Sequence, residues 1–142
     1  MFSKIPMRFL TLFFLLVAAA AAQDLTGTWK LVSAGEWRPN GERADLYGKS
    51  PSGQLMYDGK GQVSMQVQND GTGYQAHFGT YKVDAPNGTV YHVVRGSTAE
   101  KLRGTTVTYF VTLDGDRLTL GLLPEMVDGE MRLRSMVWER VR

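Results

Sequence analysis

Apolar and polar residues alternate along most of the chain after Gln23, and this pattern indicates β-strands. Every second residue of segment 62–68 is apolar (Val63, Met65 and Val67). The same period of two recurs in several other segments and is typical of strands with one buried and one solvated face. No later stretch carries a helical apolar stripe of useful length. The predicted strands are 27–36, 53–58, 62–68, 77–84, 89–96, 105–113, 117–123 and 131–140.

Short turn motifs separate these strands and indicate hairpins. They are Asp58-Gly59-Lys60-Gly61, Asn69-Asp70-Gly71, Asn87-Gly88 and Asp114-Gly115-Asp116. Strands joined in this way form an antiparallel meander, and closing the sheet on itself removes its exposed edges. We therefore predict an all-β fold, an eight-stranded antiparallel up-and-down barrel with room for side chains or one small ligand. A sandwich of the same strands is the alternative.

The first 22 residues have the layout of a secretory signal peptide. Lys4 and Arg8 precede an apolar run over 9–21, and Ala20-Ala21-Ala22 offers a cleavage site before Gln23. A membrane anchor is the alternative, but a spanning helix needs about 20 apolar residues. The prediction is a signal peptide at 1–22, a single barrel domain at 23–142, no membrane span after cleavage, and a periplasmic or secreted location.

Removal of this leader changes the charge balance. The whole chain has 16 Lys and Arg residues against 14 Asp and Glu residues, and Lys4 and Arg8 are lost with the leader. The remaining basic residues alternate with acidic ones, whereas nucleic-acid binding needs clustered basic residues. The chain has no cysteine, so neither disulfides nor thiolate metal sites are available. Two histidines without supporting carboxylates or thiols give no recognisable metal site.

Six motifs occur in an order and spacing that resemble a known family. They are "GTWKLVSAGEWRPNGE" (27–42), "YGKSPSGQLMYDGKGQVSMQV" (47–67), "FGTYKVD" (78–84), "VYHVVRGS" (90–97), "LDGDRLTL" (113–120) and "VWERV" (137–141). Together they resemble the lipocalin-like domain family of bacteria and fungi. The resemblance implies a small calycin-type barrel with a central cavity. It implies little about activity, because most members have no assigned function.

The resemblance also suggests how the barrel closes. Calycins commonly place an Arg of the last strand across a Trp of the first strand, and here these residues are Arg140 and Trp29. Such a cation–π contact contributes about 0.5–2 kcal/mol and has a structural role. Arg134 is an alternative partner of Trp29, and Arg140 could instead be an exposed terminal residue.

His92 is the titratable residue with the most interesting position. Val90, His92 and Val94 share one strand face, so an inward orientation of that face would place the histidine inside the barrel. There it could hydrogen-bond a ligand or transfer a proton near neutral pH. The alternative is a buried histidine that bonds a neighbouring hydroxyl. His77, at the start of a predicted strand, is expected at the barrel rim.

Several aromatic or flexible side chains are predicted to line a ligand cavity. The predicted ligand-binding residues are Tyr57, Met65, Tyr81, His92, Tyr109 and Trp138. Apolar and aromatic walls with a few polar groups are typical of small-molecule sites. The alternative is that these side chains simply fill a closely packed core. Segment 38–52 is predicted to be a long loop that either covers the cavity mouth or is an ordinary surface loop.

The predicted function is binding of a small, mainly apolar molecule by a monomeric exported barrel without a cofactor. The first alternative is a barrel enzyme, an isomerase or cyclase with His92 as general base. The second is an envelope protein-interaction module, which rests on Phe110 and Leu123 as apolar residues on an outer face. The sequence contains neither a nucleophile elbow nor a glycine-rich phosphate loop.

Overall fold

The computed structural model describes residues 24–71 and 73–142. The predicted signal peptide, 1–22, lies outside the described residues. The strands are β1 Gly27–Trp37, β2 Arg43–Asp45, β3 Ser52–Tyr57, β4 Gln62–Gln68, β5 Tyr74–Asp84, β6 Thr89–Ser97, β7 Thr106–Asp114, β8 Arg117–Leu122, β9 Glu125–Val127 and β10 Glu130–Arg140. Two single-turn 3₁₀ helices, Ala85–Asn87 and Glu100–Leu102, lie in the connections.

The long strands form one closed antiparallel barrel. β1, β3, β4, β5, β6, β7, β8 and β10 are hydrogen-bonded in that order, and β10 pairs back onto β1. The two short strands are additions to this barrel: β2 pairs with β1, and β9 pairs with β10. The barrel prediction is confirmed, and the sandwich alternative is wrong because the β1–β10 pairing joins the two edges of the sheet.

The observed bounds of the strands differ from the predicted ones mainly at two places. β5 begins at Tyr74 rather than at His77. The segment 38–52, predicted to be a loop, contains β2 and the first residue of β3. The sequence of this segment is polar and contains proline, so it has no pattern that predicts β2. The three residues of β2 pair with the end of β1.

The alternating residues face the barrel interior as the period of two predicts. Val63, Met65 and Val67 of β4 are buried, whereas the polar residues between them are exposed or half-buried. Leu118 and Leu120 of β8 are fully buried on the opposite wall. Burial of this apolar face provides the main driving force for closing the sheet.

The closed end of the barrel is covered by the first residues of the described chain. Leu25 is buried there, and its carbonyl oxygen accepts a hydrogen bond of 2.9 Å from Nε1 of Trp29. The Arg140 guanidinium lies 4.2 Å from the centre of the Trp29 ring and donates to the Thr26 carbonyl oxygen at 2.6 Å. Gly27 permits this approach, because a Cβ there would lie 2.9 Å from Nη1 of Arg140. Arg140 thus joins the start and the end of the barrel.

Candidate functional site

A cavity of about 680 Å³ opens at the end of the barrel opposite Trp29. The ends of β4 and β6, the beginnings of β5 and β7, and the connections between them surround its mouth. Its deeper wall is formed largely by Met65, Val67, Val107, Tyr109 and Met136. Its position follows from the up-and-down topology, since short turns close one end and the longer connections lie at the other.

The segment between β1 and β3 contributes directly to the mouth. Leu46 and Tyr47 line the cavity, and the backbone N–H of Leu46 donates to the Ala34 carbonyl oxygen at 3.2 Å. The segment is therefore held against β1 on one side. Of the two alternatives for 38–52, a cover and an ordinary loop, this geometry favours the cover.

The other side of the same segment is held by Asp70 in the β4–β5 turn. Its Oδ2 accepts hydrogen bonds from the backbone N–H groups of Lys49 and Ser50 at 2.9 and 3.1 Å. Gly48 makes this contact possible: its φ is +80°, and a Cβ would lie 2.5 Å from the Cβ of Asp70. The Asp70 carboxylate and Gly48 thus hold this side of the segment against the β4–β5 turn.

A buried chain of three polar side chains lies below the cavity. The Tyr57 hydroxyl is 2.7 Å from Nε2 of His92, and Nδ1 of His92 is 2.9 Å from Nε2 of His77. His92 is fully buried, with its ring 4.8 Å from that of Tyr109 between ring centres. His77 also lines the cavity. The chain therefore connects the interior of the barrel with the ligand-sized space above it.

Burial keeps all three of these groups uncharged near neutral pH. It lowers the pKa of His92 to about 3, with a further contribution from His77, and it lowers the pKa of His77 below the ordinary value. It also raises the pKa of Tyr57 well above 10, with smaller contributions from the neighbouring tyrosines. The chain is thus a set of neutral hydrogen-bonding groups rather than a charged centre.

A cluster of ion-paired side chains lies nearer the mouth, whereas Lys101, which also lines the cavity, forms no ion pair with the described residues. Glu36 accepts hydrogen bonds from Nε of Arg134 at 2.6 Å and from Nη1 of Arg132 at 2.8 Å. The hydrogen bond from Arg134, assisted by Arg132, holds the pKa of the Glu36 carboxyl below its ordinary value. Arg134, which lines the cavity, also donates to Glu125 at 3.0 Å. Its charge is therefore largely balanced by carboxylates that do not line the cavity.

Four of the six predicted site residues lie in the cavity wall or directly beneath it. Met65 and Tyr109 line the cavity. Tyr57 and His92 lie beneath it, in the hydrogen-bonded chain. The inward orientation expected for His92 is observed, and both of its ring nitrogens are engaged by protein groups. A proton transfer between His92 and a cavity ligand would therefore have to pass through His77.

The other two predicted residues are remote from the cavity wall. Trp138 is fully buried, pairs with Leu31 and Leu118, and contributes to the core rather than to the cavity lining. Tyr81 donates its hydroxyl to the Asp58 carbonyl oxygen in the β3–β4 turn, at the closed end. Both face inward as the alternation predicts, but their depth along the barrel axis places them below the cavity.

His77, Tyr47 and Arg134 are among the cavity-lining residues that are absent from the predicted set. The rim position expected for His77 is wrong, because β5 starts three residues earlier than predicted and carries the ring inside the wall, with 9% of the residue exposed. Its alternation with Gly79 and Tyr81 was the available signal. Tyr47 could have been identified as an aromatic residue in the proposed cover, and Arg134 as an alternating residue of the last strand.

Residues 24–71 and 73–142 contain no group of three or more His, Asp or Glu side chains arranged to hold a metal ion. No helix in that part has the length and hydrophobicity that a membrane crossing requires.

Comparisons with known proteins agree with this architecture. No protein-family model and no curated protein sequence matches the chain. The structure is similar to that of a lipocalin-like protein from Bacteroides uniformis, with 16% sequence identity, a TM-score of 0.51, and a match that covers 84% of this chain and 100% of that one. An uncharacterized protein from Bacteroides eggerthii matches with 16% identity and a TM-score of 0.47, over 83% of this chain and 100% of the other. By its closed strand order and its similarity to the Bacteroides uniformis protein, the fold of this chain is a lipocalin-like β-barrel, as the sequence motifs predict.

Proposed function

We propose that the protein binds a small, mainly apolar molecule in the cavity at the open end of the barrel. The supporting observation is the cavity itself. Its volume of about 680 Å³ lies within the range of about 300–1,000 Å³ that is usual for small-molecule sites. Its deeper walls are the apolar side chains of Met65, Val67, Val107 and Met136, and a few polar groups lie among them.

Most of the affinity would come from removing apolar surface from water. Each Å² of buried apolar area contributes about 25 cal/mol. Leu46 and Tyr47 would cover part of the bound molecule, while the hydrogen bonds of Asp70 hold their segment over the mouth. The polar groups would fix the orientation of the ligand.

The test compares an interior substitution with its neighbour on the outer face. Tyr109 lines the cavity, and the adjacent Phe110 is 47% exposed on the outside of β7. A hydrophobic reporter dye should bind the wild type and Phe110→Arg alike, whereas Tyr109→Arg should nearly abolish binding, because it buries a charge in the apolar wall. Equal dye affinity of all three proteins would show that the cavity is not the binding site.

A second variant guards against misfolding of Tyr109→Arg. Val107→Trp fills part of the cavity with an apolar side chain and introduces no charge. It should keep a cooperative thermal transition and weaken dye binding at least tenfold. Unchanged dye binding by a folded Val107→Trp protein would also contradict the proposal.

We further propose that the protein acts after export, in the periplasm or outside the cell. The support is the apolar leader, which ends in Ala20-Ala21-Ala22 before Gln23. Intact-mass measurement of protein isolated from the envelope or medium of its own host should give the mass of a chain that begins at Gln23. Native mass spectrometry of the same sample would show whether a small molecule accompanies the protein. Recovery of the uncleaved chain from the cytoplasm would contradict export.

A further inference from the structure

The hydrogen bonds that link Tyr57, His92 and His77 below the cavity have one favoured donor-to-acceptor direction. A neutral imidazole has one nitrogen that donates and one that accepts, whereas a phenol has a proton that needs an acceptor. Among the described residues, Nε2 of His92 is the acceptor within hydrogen-bond distance of the Tyr57 hydroxyl. If Nε2 carried the proton of His92, the fully buried Tyr57 proton would have no acceptor, and a buried donor without an acceptor is strongly unfavourable. Tyr57 therefore donates to His92.

This direction sets the tautomer of His77. His92 accepts at Nε2 and carries its own proton on Nδ1, which donates to Nε2 of His77 at 2.9 Å. Because Nε2 of His77 accepts, the proton of this neutral ring lies on Nδ1. The described residues offer Nδ1 of His77 no hydrogen-bond partner, and His77 belongs to the cavity wall. Tyr57, through His92, thus makes His77 a hydrogen-bond donor for whatever occupies the cavity.

The surroundings of His77 favour an uncharged partner. Its neighbours across the sheet are Met65 on β4 and Ser97 on β6, and His92 bonds its other ring nitrogen. None of these groups carries a charge. Of the two basic residues that line the cavity, Arg134 is paired with Glu36 and Glu125, and Lys101 lies in the 3₁₀ helix of the β6–β7 connection rather than beside His77 on the sheet. A buried carboxylate without a counter-charge would lose its hydration at a cost that a single neutral N–H does not offset.

We propose that the ligand carries an uncharged hydrogen-bond acceptor, such as a ketone or other carbonyl oxygen, which accepts a hydrogen bond from Nδ1 of His77. His77 is the residue that selects this ligand class, and Tyr57 and His92 are the positioning residues that set its tautomer. This inference rests on the proposed function, since it deepens the chemistry of the same cavity. It assigns the recognition of the ligand to the one member of the chain that reaches the cavity.

The binding test uses three rigid probes of similar shape: fluorene, 9-fluorenone and fluorene-9-carboxylate. Fluorenone differs from fluorene by a carbonyl group in place of a methylene group. The affinity of each probe is measured by displacement of the reporter dye at pH 7.5. The ratio of fluorenone affinity to fluorene affinity should fall about tenfold in His77→Phe, because the carbonyl oxygen then loses its donor in a buried site. The carboxylate should bind the wild type more weakly than the ketone.

Phe78→Leu is the matched control, because Phe78 adjoins His77 on β5 but is 54% exposed and does not line the cavity. It should leave the ratio unchanged. If the wild type binds fluorene and the ratio of fluorenone affinity to fluorene affinity is the same in His77→Phe, the inference is overturned and the proposed function stands. Tighter binding of the carboxylate than of the ketone by the wild type would have the same consequence. A wild type that binds neither the dye nor fluorene would overturn both.

A second measurement needs no ligand. Nitrogen-15 NMR of the wild type should show His77 and His92 as neutral rings that are both protonated at Nδ1 and unprotonated at Nε2. In Tyr57→Phe no hydroxyl requires Nε2 of His92 as its acceptor, so forms of His77 and His92 that are protonated at Nε2 should become populated. Wild-type His77 protonated at Nε2 would overturn the inference whatever the binding data show.

Discussion

The Tyr57 hydroxyl lies 2.7 Å from Nε2 of His92, and both residues are almost completely buried. This pair joins β3 to β6 across the barrel interior, 35 residues apart in sequence. The second role that the sequence predicts for His92 is that of a buried histidine bonded to a neighbouring hydroxyl, and this contact corresponds to it. The contact also leads onward to His77 and the cavity, so it unites a packing role with the proposed recognition of a ligand.

Replacement of Tyr57 by Phe should destabilise the barrel by about 1–3 kcal/mol, because it leaves a buried ring nitrogen of His92 without its partner. Tyr81→Phe is the control, since it also removes one hydroxyl, but from a hydrogen bond to Asp58 near the solvent. Its cost should be below that of Tyr57→Phe. Urea denaturation of both variants measures the difference. Equal costs would mean that the buried contact adds nothing specific to stability.

His92 should remain neutral well below the pH at which an ordinary histidine protonates. Unfolded histidine takes up its proton near pH 6.5, whereas burial lowers the pKa of folded His92 to about 3. The unfolded state therefore binds more protons between these values, and the free energy of unfolding should fall as the pH decreases from about 6.5 towards 3. NMR titration of the His92 ring should show no protonation between pH 8 and pH 5. A midpoint near pH 6.5 in the folded protein would contradict the buried geometry.

Loss of the Arg140 side chain should open the closed end of the barrel. Arg140→Gln removes the stacking on Trp29 and the hydrogen bond to the Thr26 carbonyl oxygen, with an expected cost of about 1–3 kcal/mol. Arg142→Gln is the matched control, because its side chain is 79% exposed. Thermal denaturation should show a clear loss for the first variant and little change for the second. Dye affinity at the opposite end should stay the same in both variants, and its loss in Arg140→Gln would show that the two ends are coupled.

Gly48→Ala should loosen the cover of the cavity mouth. Gly48 and Gly41 both have positive φ, so alanine is strained at either position. At Gly48 the new Cβ would also collide with Asp70, whereas at Gly41 nothing lies within 4 Å. Stopped-flow measurements should therefore show faster dissociation of the dye from Gly48→Ala than from Gly41→Ala. Identical rates would indicate that the segment around Leu46 and Tyr47 does not control access.

The period of two and the turn motifs predict most of the barrel because they are local properties of the chain. All but one of the long strands have the predicted bounds to within one residue at each end. The inward face of Val90, His92 and Val94 also follows from alternation, and the three residues are buried as expected. The pairing of the first and last strands places Trp29 beside Arg140, as the resemblance to calycins implies.

The sequence by itself thus determined the strands, their inward faces and the residues that meet where the barrel closes. The tertiary structure decided how deep each inward side chain lies along the barrel axis. That depth separates Tyr109, in the cavity wall, from Trp138, in the core. It also places the His77 ring within hydrogen-bond distance of the His92 ring, next to a shift of register between Phe78 and Gly79. Alternation specifies which face of the sheet a side chain occupies but not its depth along the barrel axis. That depth depends on the register and tilt of neighbouring strands.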